Sequence, residues 1–289
     1  MSKKTIKWLT NILLIVFIVI FLVSGFLLVQ YFWNSHKEQG KFDDLANLVE
    51  DIPTEPVSAE PPATGPTDPN APTAPAKPAG PALITVKNPE TGEDVQILPQ
   101  YAKAYERNPD MIGWMKMEGT KINYPVMYAP EKKDYYLHRN FDRESSAHGC
   151  FYVREACDPL RPSDNVTIYG HNMRDGSMMA ALHKLESRDF WEDHPILTFD
   201  TLEGHYEYEI FSVFVTSATE NKGFPYHLFV DAMNEAQFDQ YVQTCKDLAL
   251  YDTGITPEYG DKLITLSTCD YTVENGRLVA VARRLDPMN

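Results

Sequence analysis

Residues 12–29 are all aliphatic or Phe except Ser24 and Gly25, and they lie inside a longer stretch, 8–35, with no charged side chain. Eighteen residues at helical rise span roughly 27 Å, about the hydrocarbon thickness of a bilayer. A run of this kind is long and apolar enough for a membrane-spanning helix. Lys3, Lys4 and Lys7 precede it, and the next basic residue is Lys37. That asymmetry predicts a cytoplasmic N-terminus and an exported remainder. A cleaved signal peptide is the rival reading, although its apolar core normally runs only about 7–15 residues, and 23–25 is a weak cleavage candidate. Residues 1–36 are therefore expected to be a cytoplasmic tip and an uncleaved single-pass anchor in the cell membrane.

Composition changes abruptly after the anchor. Ten of the 21 prolines fall within 53–81, spaced mostly by Ala, Thr and Gly. Such a stretch buries too little apolar surface to offset its ordering entropy. Residues 37–98 are expected to be a disordered, partly polyproline-like stalk, with a ligand for a proline-binding domain as the other reading. Residues 99–289 remain for one globular domain. The chain holds 41 acidic and 26 basic residues, which argues against a nucleic-acid binder. Without Lys3, Lys4 and Lys7, 23 basic residues face 41 acidic ones, so the exported part carries −18. That charge suits a solvated exterior and is silent on substrate.

Within the globular region, short runs rich in β-branched and aromatic residues occur at 112–117, 122–127, 150–153, 166–169, 196–199, 205–216, 262–268 and 277–285. Gly, Asn and Asp lie between them, which predicts eight strands and a mainly antiparallel barrel or sandwich. A short helix is predicted at 100–107, ended by Asn108-Pro109, and another at 177–185. Residues 234–249 read as a longer helix: Asn234 and Gln237 resemble a capping box, and Phe238, Tyr241, Val242, Cys245, Leu248 and Ala249 share one face.

Four cysteines are too few for a disulfide scaffold. Cys245 sits on the packed helix face and reads as an inert thiol. Cys150 and Cys157 lack the spacing of a zinc site, and a disulfide between them stays open. Cys269 is different, because it ends the strand run 262–268 just before a polar loop, where a nucleophile is both fixed and exposed. Seven residues separate it from Arg277, at the start of the next strand. If those strands pair, Arg277 can lie opposite Cys269, where a guanidinium would favour thiolate and could donate to a developing oxyanion. His171 follows the strand 166–169 and Gly170, and a histidine there can supply the proton a leaving amine needs. A buried strand-end cysteine, a solvated arginine and a structural histidine are the plainer alternatives.

Together these residues resemble a known family. TLSTC (265–269), followed by Arg277 in GRLVAVARRL, looks like the active-site hairpin of the sortases, and YGHNMRDGSM (169–178) looks like the segment carrying their histidine. NPDMIGWMKMEGTKINYPVM (108–127), YYLHRNF (135–141) and LYDTG (250–254) resemble class B sortases in particular. The likeness covers 101–285. It implies a mainly β fold, an eight-stranded β-barrel with a few peripheral helices, and a membrane-anchored cysteine transpeptidase. Cys269 would attack the carbonyl after Thr in an NPxTG-like sorting signal and form a thioester. An amine of a peptidoglycan precursor or a pilin would then resolve it. His171 would act as acid and base, and Arg277 would hold substrate and oxyanion. The resemblance also offers Ser267, Thr219, Tyr226 and Leu137 as groove residues. Leu137 and Tyr226 could equally be core. It implies no metal and no cofactor. The partners would be surface proteins bearing a C-terminal sorting signal, and the catalytic domain would be extracellular.

Two other classes compete. A secreted cysteine peptidase would hydrolyse the same bond, but in papain-like enzymes the cysteine precedes the histidine, the reverse of His171 and Cys269. A non-enzymatic membrane-tethered binding module would leave Cys269, His171 and Arg277 unexplained.

Overall fold

A computed structural model describes residues 3–50, 82–219 and 221–285. The chain divides into two compact units, 1–43 and 44–289. One helix, α1 (Lys3–Glu50), contains the apolar run. It is the one helix among the described residues long and apolar enough to cross a membrane, and the side chains of 12–29 stand open along it. Residues 37–50 of the stalk expected over 37–98 are helical, because α1 continues to Glu50. The first proline after the anchor is Pro53, and the intervening residues are mostly sound helix formers. The proline-rich stretch itself lies outside the described residues. Residues 84–97, the last part of the expected stalk, form regular structure. Strands β1 (Ile84–Lys87) and β2 (Asp94–Ile97) form a hairpin in which Ile84 faces Ile97. Asn88 closes the connection by accepting from the Glu90 and Thr91 amides at 2.8 and 3.1 Å.

A 3-10 turn (Pro99–Tyr101) leads into α2 (Ala102–Arg107). The eight predicted strands follow: β3 (Met111–Lys116), β4 (Asn123–Met127), β5 (Phe151–Val153), β6 (Asn165–Tyr169), β7 (Ile196–Thr201), β8 (Glu207–Ser217), β9 (Leu263–Asp270) and β10 (Gly276–Arg284). They close into a barrel in the order β10-β8-β7-β3-β4-β5-β6-β9. Six of its joins are antiparallel; β4 with β5 and β6 with β9 are parallel. Closure gives every barrel strand a hydrogen-bonded neighbour on both sides.

The helix expected at 177–185 is a 3-10 helix over Met179–Glu186. It is followed by α3 (Arg188–Asp193), capped by the Ser187 side chain. α4 (Glu235–Leu248) has the predicted cap: Asn234 Oδ1 accepts from the Gln237 amide at 3.1 Å, and Gln237 Oε1 reaches back to the Met233 amide at 2.7 Å. α4 packs its Phe238, Tyr241, Val242 and Cys245 against Phe211, Leu263, Val279 and Val281 on the barrel. Leu263 therefore marks the outer face of β9 as the face α4 covers. Side chains alternate along a strand, so Thr265, Ser267 and Cys269 share that face. On β10, Arg277 falls in line with Val279 and Val281.

Candidate active site

The register of β9 and β10 decides the first question. Arg277 is the direct partner of Cys269, with no slip anywhere along that ladder. Both lie on the outer face, where the cover provided by α4 gives out, and Cys269 is only partly buried whereas residues 263–268 are buried. The turn between the strands is tightly specified. Asp270 Oδ1 accepts from the Thr272 amide at 2.8 Å. A Cβ at Gly276 would stand 2.6 Å from the Asp270 carbonyl oxygen, so only glycine fits there. Arg277 Nη1 donates to the Gly276 and Asn275 carbonyls at 2.8 and 3.4 Å.

His171 reaches the same end of the barrel because β6 runs parallel to β9. Gly170 follows the last paired residue, and Thr268 Oγ1 donates to its carbonyl at 2.8 Å. A Cβ on Gly170 would meet Met179 Cγ at 2.8 Å and Phe151 Cδ1 at 2.9 Å. His171 Nε2 lies 2.7 Å from the Leu137 carbonyl oxygen. A carbonyl only accepts, so the proton is on Nε2 and Nδ1 is the basic nitrogen. The ring stacks on His138, with centroids 5.7 Å apart. Burial lowers the imidazole below its ordinary pKa, His138 and His148 push the same way, and the bond to Leu137 opposes them.

Leu137 thus enters the site through its main chain, in the 3-10 helix Tyr135–His138. Gly149, at φ +59°, passes so close that an added Cβ would lie 2.5 Å from the Leu137 carbonyl oxygen. Ser267 Oγ and Tyr226 OH bond at 2.6 Å, and both residues are buried. Tyr226 belongs to the cluster under α4 as well as to the site, so core and groove wall coincide. Burial pushes its phenol up; Ser267 and Arg277 oppose that shift, and Cys269 adds to it. Thr219 Oγ1 accepts from Asn275 Nδ2 at 3.1 Å, beside the β9–β10 turn. All seven residues singled out in the sequence are therefore tied to one end of the barrel.

Asn172 and His183 were not singled out. Asn172 Nδ2 lies 3.0 Å from the Cys269 carbonyl oxygen and 2.9 Å from His183 Nε2. Asn172 lies inside the segment 169–178 that carries His171, but nothing local points it or His183 toward Cys269, because the contacts arise only when β6 is laid beside β9. His183, Glu186 and Asp270 bring possible metal-ligand atoms within 4.8 Å of one another, but His183 Nδ1 is already bonded to Glu186 at 2.5 Å. Cys150, Cys157 and Cys245 are buried, and no disulfide joins cysteines among the described residues. Burial pushes Cys245 up to about 12, as expected of an inert thiol.

Chemically, a thiol facing a guanidinium, with an imidazole on the adjoining loop, can perform acyl transfer. The model of the sortase domain matches residues 115–285. Sortase B of Listeria monocytogenes is 34% identical over 174 residues, covering 60% of this chain and 68% of that protein. Sortase B of Staphylococcus aureus is 29% identical over 189 residues, covering 65% and 75%. Among solved structures, sortase B from Bacillus anthracis in complex with AAEK1 superposes with a TM-score of 0.65 at 25% identity, over 89% of this chain and 100% of that one. A Staphylococcus aureus sortase B–substrate complex gives 0.59 at 28% identity, over 65% and 86%.

Proposed function

This chain belongs to the sortase family and is a cysteine transpeptidase, and from that premise we propose that Cys269 is its nucleophile, His171 its acid and base, and Arg277 its oxyanion donor. The substrate is a surface protein carrying an NPxTG-like C-terminal sorting signal. The Cys269 thiolate attacks the carbonyl after Thr, the Thr–Gly bond breaks, and a thioester to Sγ forms. His171 delivers a proton from Nδ1 to the leaving amine. It then takes one from the incoming amine, which belongs to a peptidoglycan precursor or a pilin. The Leu137 carbonyl holds Nε2–H through both steps, so the proton in play stays on Nδ1.

Arg277 uses Nη1 on the turn carbonyls, which leaves its other N–H groups for the oxyanion. Ser267, Tyr226, Thr219 and Leu137 line the peptide groove. The observation that carries this reading is the Cys269–Arg277 register, which sets thiol and guanidinium side by side at the end of the β9–β10 ladder. In the membrane, α1 spans the bilayer with Lys3, Lys4 and Lys7 on the cytoplasmic side, and the barrel works outside.

The test is cleavage of an NPxTG fluorogenic peptide by the full-length protein in detergent, with and without a free amine. An amine-linked product that disappears in Cys269→Ala supports the reading. Cleavage that survives Cys269→Ala sinks it, and plain hydrolysis unaffected by amine points to a peptidase.

A further inference from the structure

The parallel ladder between β6 and β9 ends at Tyr169 and Ser267, after which the Gly170 amide still donates to the Ser267 carbonyl at 3.3 Å. Carbonyls two residues apart on a strand point to the same edge. The Cys269 carbonyl therefore faces the edge that β6 has just left, so the ladder supplies it no partner on that side. The Asn172 side chain fills the gap with its Nδ2, 3.0 Å from the Cys269 carbonyl oxygen.

What orients that amide is His183. Its Nδ1 lies 2.5 Å from Glu186 Oε1 and its Nε2 lies 2.9 Å from Asn172 Nδ2. An ionised carboxylate only accepts, so the imidazole proton sits on Nδ1 and Nε2 is free to accept. With the proton on Nδ1, the two Asn172 amide hydrogens go one to His183 Nε2 and one to the Cys269 carbonyl. The 3.2 Å approach of His183 Nε2 to the Cys269 carbonyl oxygen brings together two acceptors that share the Asn172 amide. Asp270 Oδ2 stands farther off, 4.0 Å from His183 Nδ1, and Asp270 Oδ1 serves Thr272.

We propose that Asn172, oriented by His183 and Glu186, is a positioning residue for the thioester chemistry. It fixes the main chain of Cys269 and, being the neighbour of His171, sets the separation of thiol and imidazole. This inference rests on the roles proposed above for Cys269 and His171.

The experiment uses the full-length protein in detergent with the NPxTG fluorogenic peptide. Asn172→Asp keeps the shape but puts an acceptor against two acceptors, and Asn172→Ala removes the tie. A displacement of the nucleophile by a fraction of an ångström should lower kcat about tenfold or more with KM changed less than about twofold. Melting temperatures should move by no more than about 4 °C. His183→Gln, which still offers an amide oxygen to Asn172, should keep most of the activity that His183→Leu loses. Asn172→Ala combined with His183→Leu should be no worse than Asn172→Ala alone, since both act through one carbonyl.

Alkylation of Cys269 by iodoacetamide gives a readout without substrate. Its pH midpoint should move by about half a unit or more in Asn172→Ala, because thiol and imidazole no longer share their geometry. Asn172→Asp with kcat within about twofold of the parent, a loss carried by KM or by melting alone, or an unmoved alkylation midpoint would overturn the inference. A parent protein that cleaves no peptide counts against the proposed function instead, and the alkylation midpoint still decides the role of Asn172.

Discussion

Replacing Tyr226 with Phe removes one hydroxyl from a bond between two buried groups, Tyr226 OH and Ser267 Oγ at 2.6 Å. Phe fills the same volume, so packing in the cluster with Phe214 and Tyr241 is kept. What changes is Ser267, whose hydroxyl is left in a 1% exposed position without that partner. Stranding a buried hydroxyl costs about 1–3 kcal/mol. For a domain of this size that corresponds to a melting temperature lower by roughly 4–8 °C at the middle of the range. Ser267→Ala strands the phenol instead and should cost a similar amount. The double variant removes both polar atoms and should lose less than the sum, leaving a coupling of about 1–2 kcal/mol. Thermal and urea melts of the four proteins, followed by circular dichroism, measure it. Single losses that simply add to within about 0.5 kcal/mol would refute the argument that this bond joins the groove wall to the nucleophile strand.

Arg277→Lys keeps the charge and loses the planar fork; peptide turnover should fall by about a hundredfold or more, and near-normal turnover would show that Arg277 is not the oxyanion donor. Burial lowers the pKa of His171, so a mechanism that needs imidazolium with thiolate runs on a small competent fraction at neutral pH. The profile of kcat/KM should be bell-shaped between about pH 5 and pH 9, and a flat profile would contradict the pairing. The same shift affects stability: unfolding releases an imidazole that binds a proton more readily. The His171 contribution is therefore whole above its ordinary value of 6.5 and erodes as the pH falls below it, which acid melts of the parent and His171→Gln would separate. Gly170→Ala drives a Cβ to 2.8 Å from the buried Met179 side chain; it should cost about 1–3 kcal/mol and slow catalysis by moving His171, whereas wild-type stability and rate would show that the loop yields freely.

Much of the barrel was legible because each strand announces itself locally. Alternation and β-branched residues placed all eight barrel strands to within a few residues. The short connection between two strands made the Cys269–Arg277 pairing one available register, and the ladder adopts it. Helix α4 carried its own cap and stripe. What stayed hidden depends on long-range contact or on weak local pattern. β1 and β2 are four residues each, mostly exposed, and follow the proline-rich stretch, so composition masked them. α1 outran its apolar segment because helix propensity, not hydropathy, decides where a helix stops. Leu137 acts through a carbonyl, which every residue has, so its side chain gave no sign of the bond to His171. Asn172 meets Cys269 across 97 residues of chain, a contact made only by the parallel pairing of β6 with β9.

The central claim is that Cys269 carries the acyl group. Intact and peptide mass spectrometry of the full-length protein, quenched in acid after mixing with an NPxTG peptide in the absence of an amine, tests it most directly. The account predicts an adduct equal to the peptide segment ending in Thr, mapped to the peptide containing Cys269, sensitive to hydroxylamine and discharged by added amine. Cleavage without any adduct, or an adduct that persists in Cys269→Ala, would contradict it.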